Sequence, residues 1–368
     1  MRRIDAIRIG FRDRLLRLYT HDYIKLMRRR NANRELRVFR KRSTPLTADQ
    51  KQDILSFWDH YRNVRKEMDW FAFYNTGCEN KEQLKYYIPD TIYYSEIDTF
   101  FTDPRRCEAL DDKNLYDIYF PDVKRPLTIF RKMNGEYFDK DYHVISLDQA
   151  MELCHQAEKV IAKETLMSGG GFGVKFFDFT VTPDNKFTQW LGKNDNVIIQ
   201  EVVKQHETLS NIHPSSVNTL RMMSLFLDGK TIILSSLLRM GAGGSHVDNG
   251  SSGGVFCGIN DEDGTLKEHG HYTDGRICTQ HPQGTVFKGF KVVGYERCRE
   301  IIQETACRMA SATRLISWDF AIGPDGEPIL IELNLTYGGL STHLLSNGPL
   351  FGDRTPEILS RVYNKRNS

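Results

Sequence analysis

Seven cysteines are scattered through 368 residues, an odd number with no two at the close spacing a metal-ligand pair needs. A disulfide framework and a cysteine-based metal knuckle are therefore not expected, and a reducing, cytoplasmic setting is. No apolar run approaches the length of a bilayer-spanning helix, and no cleavable leader is expected. No internal repeat and no low-complexity tract appears. No nucleic-acid-binding motif accompanies the basic residues, so no nucleic-acid partner is expected. What is present, 40% hydrophobic and 27% charged residues, is the composition of a soluble globular protein. The length suits two or three subdomains rather than one core.

The near-zero net charge of +2 conceals an asymmetry. Residues 1–42 hold 15 Lys and Arg against 4 Asp and Glu, a balance of +11, whereas the rest holds 35 against 44, a balance of −9. Within this arm Ile4, Ile7, Phe11, Leu15, Leu18, Tyr19, Tyr23, Leu26 and Met27 recur at helical spacing. A basic amphipathic helix either packs its stripe on the protein's own body or docks on an anionic membrane surface or a membrane partner. Next, "TADQ" from Thr47 is a capping box that opens a helix, and residues 43–110 read as helical and rich in aromatics. A second capping box, "SLDQ" from Ser146, opens a helix to about Lys159. Short strands follow in "KVIAK", "VKFFDF" and "NVIIQEVV". "LRMMSLFLDGKTIILSSLLRM" is a hairpin closed by Asp228 and Gly229, and a helix is expected from about Tyr295 to Thr313.

The segment "ISWDFAIGPDGEPILIELN" sets two apolar runs about an Asp-Gly turn, and each run carries an acid. With Asp325 and Gly326 at the turn centre, Asp319 falls opposite Glu332, and Asn334 lies on the face of Glu332. The other face holds Ile316, Trp318, Phe320 and Ile322 against Ile329, Ile331, Leu333 and Leu335, a core face. Two opposed carboxylates repel unless something positive lies between them. Two readings stand: a solvated outer face, or oxygen ligands for a hard divalent cation such as Mg²⁺.

"GGGFGVK" departs from a P-loop, because Phe176 follows Lys175 where Ser or Thr is needed. What comes after it reads as a strand, which excludes a dinucleotide fingerprint. A glycine-rich loop between strands is either a flexible tip or a flap whose backbone N–H groups cover phosphates. Lys163, on the strand entering it, is a surface lysine or a phosphate ligand. The buried strand ending at Glu201 runs into a polar segment that offers backbone groups to adenine and a carboxylate to ribose. Glu201, Val203 and Glu207 fit those roles.

A lysine before a glycine flap, a strand with a hinge and glutamate, and a late Asp…Glu-x-Asn hairpin occur in that order. The combination resembles the ATP-grasp superfamily over about residues 110–340. "SSVNTLRMMSLF", "LLRMGAGGSHVDNGSSGG" and "WDFAIGPDGEPILIELN" resemble more narrowly the sugar-transfer-associated ATP-grasp family, found among bacterial surface-polysaccharide genes. The resemblance implies an α+β fold in which two subdomains grip ATP. It implies phosphate lysines at Lys113 and Lys163, a flap at Gly169, Gly170, Gly171 and Gly173, an adenine hinge at Glu201 and Val203, and a ribose carboxylate at Glu207. It also implies Mg²⁺ ligands at Asp319, Glu332 and Asn334. Arg221 and Arg239 are candidates to clamp a substrate carboxylate or the transferring phosphoryl group, with structural ion pairs as the alternative. Asp248, Asn249, Gly253 and Gly254 are candidates to close over an acceptor, with a loop free of contacts as the alternative.

The division expected is a basic arm 1–42, a helical region 43–110, an ATP-grasp subdomain 111–205 with flap and hinge, and a second subdomain 206–368 with the metal site. The helical region departs from the strand–helix domain that often precedes an ATP-grasp core, so the acceptor surface is left open. The implied activity is ATP-dependent joining of a carboxylate to an amine through an acyl phosphate, an amino acid to a sugar or uronic acid in exopolysaccharide or capsule synthesis. The alternatives are a sugar or small-molecule kinase and a non-catalytic nucleotide-binding scaffold. The expected partners are small-molecule or glycan carboxylates and amines, with the arm placing the protein at the inner face of the membrane.

Overall fold

A computed structural model describes residues 23–37, 43–166, 173–244, 248 and 253–364. The chain forms two compact units, one drawing on Met1–Phe101 with Gly339–Ser368 and one spanning Thr102–Gly338.

The first unit is helical. Both hydroxyl caps read from the sequence form: Thr47 accepts from the Gln50 amide at the head of Ala48–Trp58, and Ser146 does the same for Gln149 in the second unit. Met68–Gly77 buries Trp70, Phe71, Phe73 and Tyr74. A π-helical turn, Tyr93–Ile97, follows. Residues 23–37 are helical, and they bury Arg28, Ala32 and Leu36, one line at i, i+4, i+8. The guanidinium of Arg28 donates to Asp98 at 2.5 Å and to the Tyr94 carbonyl at 3.0 Å. The apolar stripe of the arm lies mostly outside the described residues. Where it enters them, Tyr23 and Leu26 are exposed, and the buried line is set by Arg28 instead.

The second unit holds two antiparallel sheets. The first has the order β2-β1-β5-β3-β4, from β1 (Thr128–Met133), β2 (Glu136–Phe138), β3 (Lys159–Glu164), β4 (Val174–Asp178) and β5 (Val197–Glu201). One face packs Phe130, Val160, Ala162, Val197 and Ile199 against the helices Leu147–Ala157 and Asp184–Leu191. Strand alternation sends Lys163 and Gln200 to the other face.

The second sheet has the order β10-β9-β8-β7-β6-β11-β12. Its strands are β6 (Thr219–Leu227), β7 (Lys230–Met240), β8 (Val255–Ile259), β9 (Leu266–Tyr272), β10 (Ile277–Cys278), β11 (Leu315–Ile322) and β12 (Pro328–Asn334). Asp228 and Gly229 both have positive φ, 51° and 77°, as a two-residue turn between right-twisted strands requires. Leu220, Met222, Leu238, Met240, Trp318 and Phe320 line the core face with Ile301 and Ile302 of the helix Tyr295–Thr305. That helix ends short of the expected Thr313, passing into a 3₁₀ turn over Ala306–Met309. The opposite face is the one that carries Arg221, Arg239 and Asp319.

The acidic hairpin pairs Asp319 with Glu332 and Ser317 with Asn334. A bulge follows Asp319, so that Phe320 faces Leu330 and Ile322 faces Pro328. The turn is correspondingly longer, closed by the Gly323 amide on the Glu327 carbonyl at 2.9 Å. The core partner is therefore Leu330, fully buried, while Ile331 is only half-buried and stands outside the cluster.

Candidate functional site

Asp319 is central to three strands. Its ladder neighbours are Glu332 on β12 and Arg221 on β6. Arg221 grips it with both ends of the fork, Nε to Oδ1 at 2.7 Å and Nη2 to Oδ2 at 2.5 Å. Arg239 on β7 adds Nη1 to Oδ2 at 3.4 Å, and the Asn334 amide donates to the same oxygen at 3.4 Å. Burial opposes ionisation of Asp319, yet the two guanidiniums outweigh it and hold the carboxyl below the usual carboxylate range. The second fork nitrogen of Arg239 reaches Asp248 Oδ1 at 2.8 Å, and the Thr219 hydroxyl donates to the other oxygen of Asp248. Asp248 is buried by these contacts. The ion-pair alternative for both arginines is thus present in the structure, and it is the same arrangement that brings both to the acids.

Lys113 and Lys163 approach from the other sheet's side. Asp112 caps the short turn Lys113–Leu115 through the Asn114 amide, and the Lys113 amide donates to the Thr165 carbonyl at 3.4 Å. This aims Lys113 Nζ at Glu332 Oε1, 2.9 Å away. Lys163 Nζ donates to Gln200 Oε1 at 3.1 Å. Burial pulls the Lys163 ammonium down to about 8; Glu332 opposes the shift, while Lys113 and Arg125 reinforce it. Nearby Asp111 is pushed up to about 6 by burial, against the pull of Lys113. Its Oδ1 accepts from the Tyr116 hydroxyl at 3.3 Å, which also reaches the Leu333 carbonyl.

Lys113, Glu332, Asp319, Asn334, Arg221, Arg239 and Asp248 therefore form one connected group, and Lys163 is tied to it through the fields of Glu332 and Lys113. The remaining candidates lie elsewhere or outside the described residues. Glu201 is exposed and by strand alternation shares the face of Ile199 rather than that of Lys163; its amide donates to the Leu127 carbonyl at 2.9 Å. Val203 is half-buried, and exposed Glu207 begins the short helix Glu207–Ser210. Gly173 has φ +75°, with Glu164 against the position a Cβ would take. Gly253 has φ +87°, and Gly254 is buried. Gly169, Gly170, Gly171 and Asn249 lie outside the described residues.

Four contributors were not read from the sequence: Gln200, Asp111, Thr219 and Arg125. The only advance signals were a lone amide in the buried run "VIIQE" and an acid two residues before Lys113.

The donor set decides what metal it can hold. Among the described residues no three His, Cys, Asp or Glu cluster as a protein cage. Two carboxylates and an amide are hard oxygen donors, too few for a closed site. They suit an ion such as Mg²⁺ that takes one or two carboxylates and fills its shell from phosphates and water. The residues fit that ion.

No curated protein matches the chain. Among solved structures it is similar to D-alanyl-alanine synthetase A from Vibrio cholerae, at 15% identity and TM-score 0.42, over 72% of this chain and 68% of that one. It is also similar to a D-alanine–D-alanine ligase from Bacillus anthracis, at 14% identity and TM-score 0.39, over 72% of each chain. An L-amino acid ligase from Bacillus licheniformis matches at 11% identity and TM-score 0.38, over 65% of this chain, which spans less than half, 43%, of that protein. The family model that matches is the sugar-transfer associated ATP-grasp, over residues 188–358. That stretch, less than half of the chain, carries Arg221, Arg239, Asp248, Asp319, Glu332 and Asn334, and over it this α+β chain is similar to the sugar-transfer associated ATP-grasp family.

Proposed function

We propose that the protein is an ATP-dependent ligase that joins a carboxylate to an amine. The observation that carries this reading is buried Lys113 on the acidic hairpin, its Nζ 2.9 Å from Glu332, with both arginines on the adjacent Asp319 and buried Lys163 in the field of the same Glu332. Cations and acids held together away from water suit a polyanion that arrives with its own metal. Lys113 and Lys163 bind phosphate oxygens. Asp319, Glu332 and Asn334 would hold Mg²⁺, which when bound neutralises charge on the phosphates.

A substrate carboxylate oxygen attacks the γ-phosphorus. An O–P bond forms, the bond to the β-phosphate oxygen breaks, and ADP leaves. The amine nitrogen then attacks the acyl carbon; a C–N bond forms, inorganic phosphate leaves, and the amine gives up a proton. In-line transfer of this kind needs positioning and charge neutralisation more than covalent help. Arg221 orients Asp319. Arg239, shared between Asp319 and Asp248, is placed to hold the substrate carboxylate bidentately once Asp248 gives way.

We assign the substrates as an amino acid and a sugar acid of a bacterial surface polysaccharide, with the arm of residues 1–42 holding the protein peripherally at the inner face of the membrane. The narrower family match and the +11 balance of the arm support these choices. No helix among the described residues is long and apolar enough to cross a membrane. The test is a mass-spectrometric screen of amino acids against uronic-acid glycans with ATP and Mg²⁺. An amide product with one ADP and one phosphate supports the ligase. A stable phosphorylated sugar instead identifies a kinase, and no metal-dependent ATP turnover across the screen leaves a nucleotide-binding scaffold.

A further inference from the structure

Arg125 was not singled out by any motif, and its surroundings are unusual. It sits on the crossing segment between the two sheets of the second unit. On one side the Lys124 carbonyl accepts from the Leu330 amide of β12 at 2.9 Å. On the other, the Pro126 carbonyl accepts from Gln200 Nε2 at 3.4 Å and the Leu127 carbonyl from the Glu201 amide at 2.9 Å. Gln200 is the residue that holds Lys163, and β12 is the strand that carries Glu332.

The guanidinium is fixed in place. Nε donates to Asp117 Oδ1 at 2.7 Å, and the plane lies 5.0 Å from the centre of the Tyr116 ring, whose hydroxyl reaches the Leu333 carbonyl beside Glu332. The side chain is only 6% exposed. Yet Nη1 is buried and has no hydrogen-bond partner among the described residues. A buried donor without an acceptor costs about 1–3 kcal/mol, more when the group is charged, so native structures leave few of them. Both Asp117 oxygens are already engaged, Oδ1 by Arg125 Nε and Oδ2 by Arg131. Lys163 and Lys113 are donors themselves. The Thr128 hydroxyl, opposite Gln200 in the ladder, is likewise buried without a partner. No acceptor among the described residues reaches Nη1, which leaves the position open to an oxygen from outside the chain.

We propose that Arg125 is a further binding residue for the phosphate chain of the nucleotide, its open Nη1 donating to a phosphate oxygen beside Lys163. This rests on the reading of the site as an ATP site. It adds a planar, permanently charged donor to two lysines, and a guanidinium does not lose its charge in the range where Lys163 does. Arg131 on Asp117 and the Tyr116 ring serve to hold the fork still.

The test is calorimetric titration of the full-length protein with ATP in the presence of Mg²⁺ and, separately, with adenosine. Arg125→Gln should weaken ATP about 10- to 100-fold, the equivalent of one charge-assisted hydrogen bond, and leave adenosine within about twofold. Arg125→Lys, which keeps the charge but cannot hold Asp117 and a phosphate together, should lose about tenfold for ATP alone; it carries the test if the Gln variant does not fold. An unchanged ratio of ATP to adenosine affinity in these variants overturns the proposal and shows Arg125 to be a structural brace. Wild-type protein that binds neither ligand overturns the ATP-site reading itself.

Discussion

Asp319→Asn and Glu332→Gln each remove one anionic ligand from the same expected metal site, but the structure separates their costs. The Asp319 side chain is 6% exposed and receives three arginine donors; those of Arg221 and Arg239 are only 17% and 11% exposed. Neutralising the acid strips both largely buried guanidiniums of the carboxylate they share, with Asp248 still bonded to Arg239 and Glu332 remaining across the ladder. Breaking a buried pair from one side costs about 3–5 kcal/mol. Glu332 is 21% exposed and has Lys113 as its partner, with Asp111 close enough to compensate that ammonium. Its loss should cost about 1 kcal/mol. In a unit of this size each kcal/mol is about 2–4 °C of melting temperature. Without nucleotide, at pH 7, Asp319→Asn should therefore melt about 10 °C below wild type and Glu332→Gln only about 3 °C below, while both lose Mg²⁺-dependent turnover. Differential scanning calorimetry of the apo proteins decides it. If Asp319→Asn melts within about 3 °C of wild type, the arginine cage does not hold Asp319 as described, and the acid is only a metal ligand.

Three further outcomes follow from the geometry. Lys163, poised at about 8, should gain charge when a triphosphate binds; above pH 8 ATP binding should take up protons, and affinity should weaken as pH rises through 8. Titration in two buffers of different ionisation heat reads this, and absence of proton uptake would refute it. Gly241→Ala would place a Cβ 2.2 Å from Ser216 Oγ and 2.7 Å from His213 Nδ1, so it should destabilise by about 1–3 kcal/mol, read as a lower denaturant midpoint; an unchanged midpoint would show that this corner yields freely. Removing residues 1–22 takes away +3 of the arm's +11 and keeps Arg28 on buried Asp98, so it should weaken salt-sensitive binding to anionic vesicles without lowering stability, whereas Arg28→Ala should destabilise by about 3 kcal/mol. Full-length protein that ignores anionic vesicles at low salt would remove the arm from the membrane reading.

The hairpin shows how far the sequence could be read. A two-residue turn and an unbroken ladder place Asp319 opposite Glu332, and they are opposite. The turn is in fact longer, and the bulge after Asp319 absorbs the difference. Above the bulge the pairing agrees; below it Leu330 replaces Ile331 in the core, because one inserted residue shifts every later side chain by a face. Caps and the Asp-Gly turn at 228–229 were legible because their chemistry is local. Strands β1 and β8–β10 were not. "TIFRKM" carries two cations inside a strand, and their burial makes sense only once Arg131 has Asp117 and Lys132 has the Leu191 carbonyl. Gln200 and Arg125 escaped notice for the same reason, since their partners are distant in sequence.

Acyl-phosphate formation is the claim on which the functional account stands. The most direct measurement supplies ATP, Mg²⁺ and a panel of amino acids and sugar acids together with hydroxylamine, and follows ADP and hydroxamate by mass spectrometry. Hydroxylamine stands in for the amine, so the natural nucleophile need not be known. The account predicts one hydroxamate per ADP for one class of acid, lost in Lys163→Met and in Glu332→Gln. ADP released without hydroxamate, or a phosphorylated product that survives hydroxylamine, would contradict it.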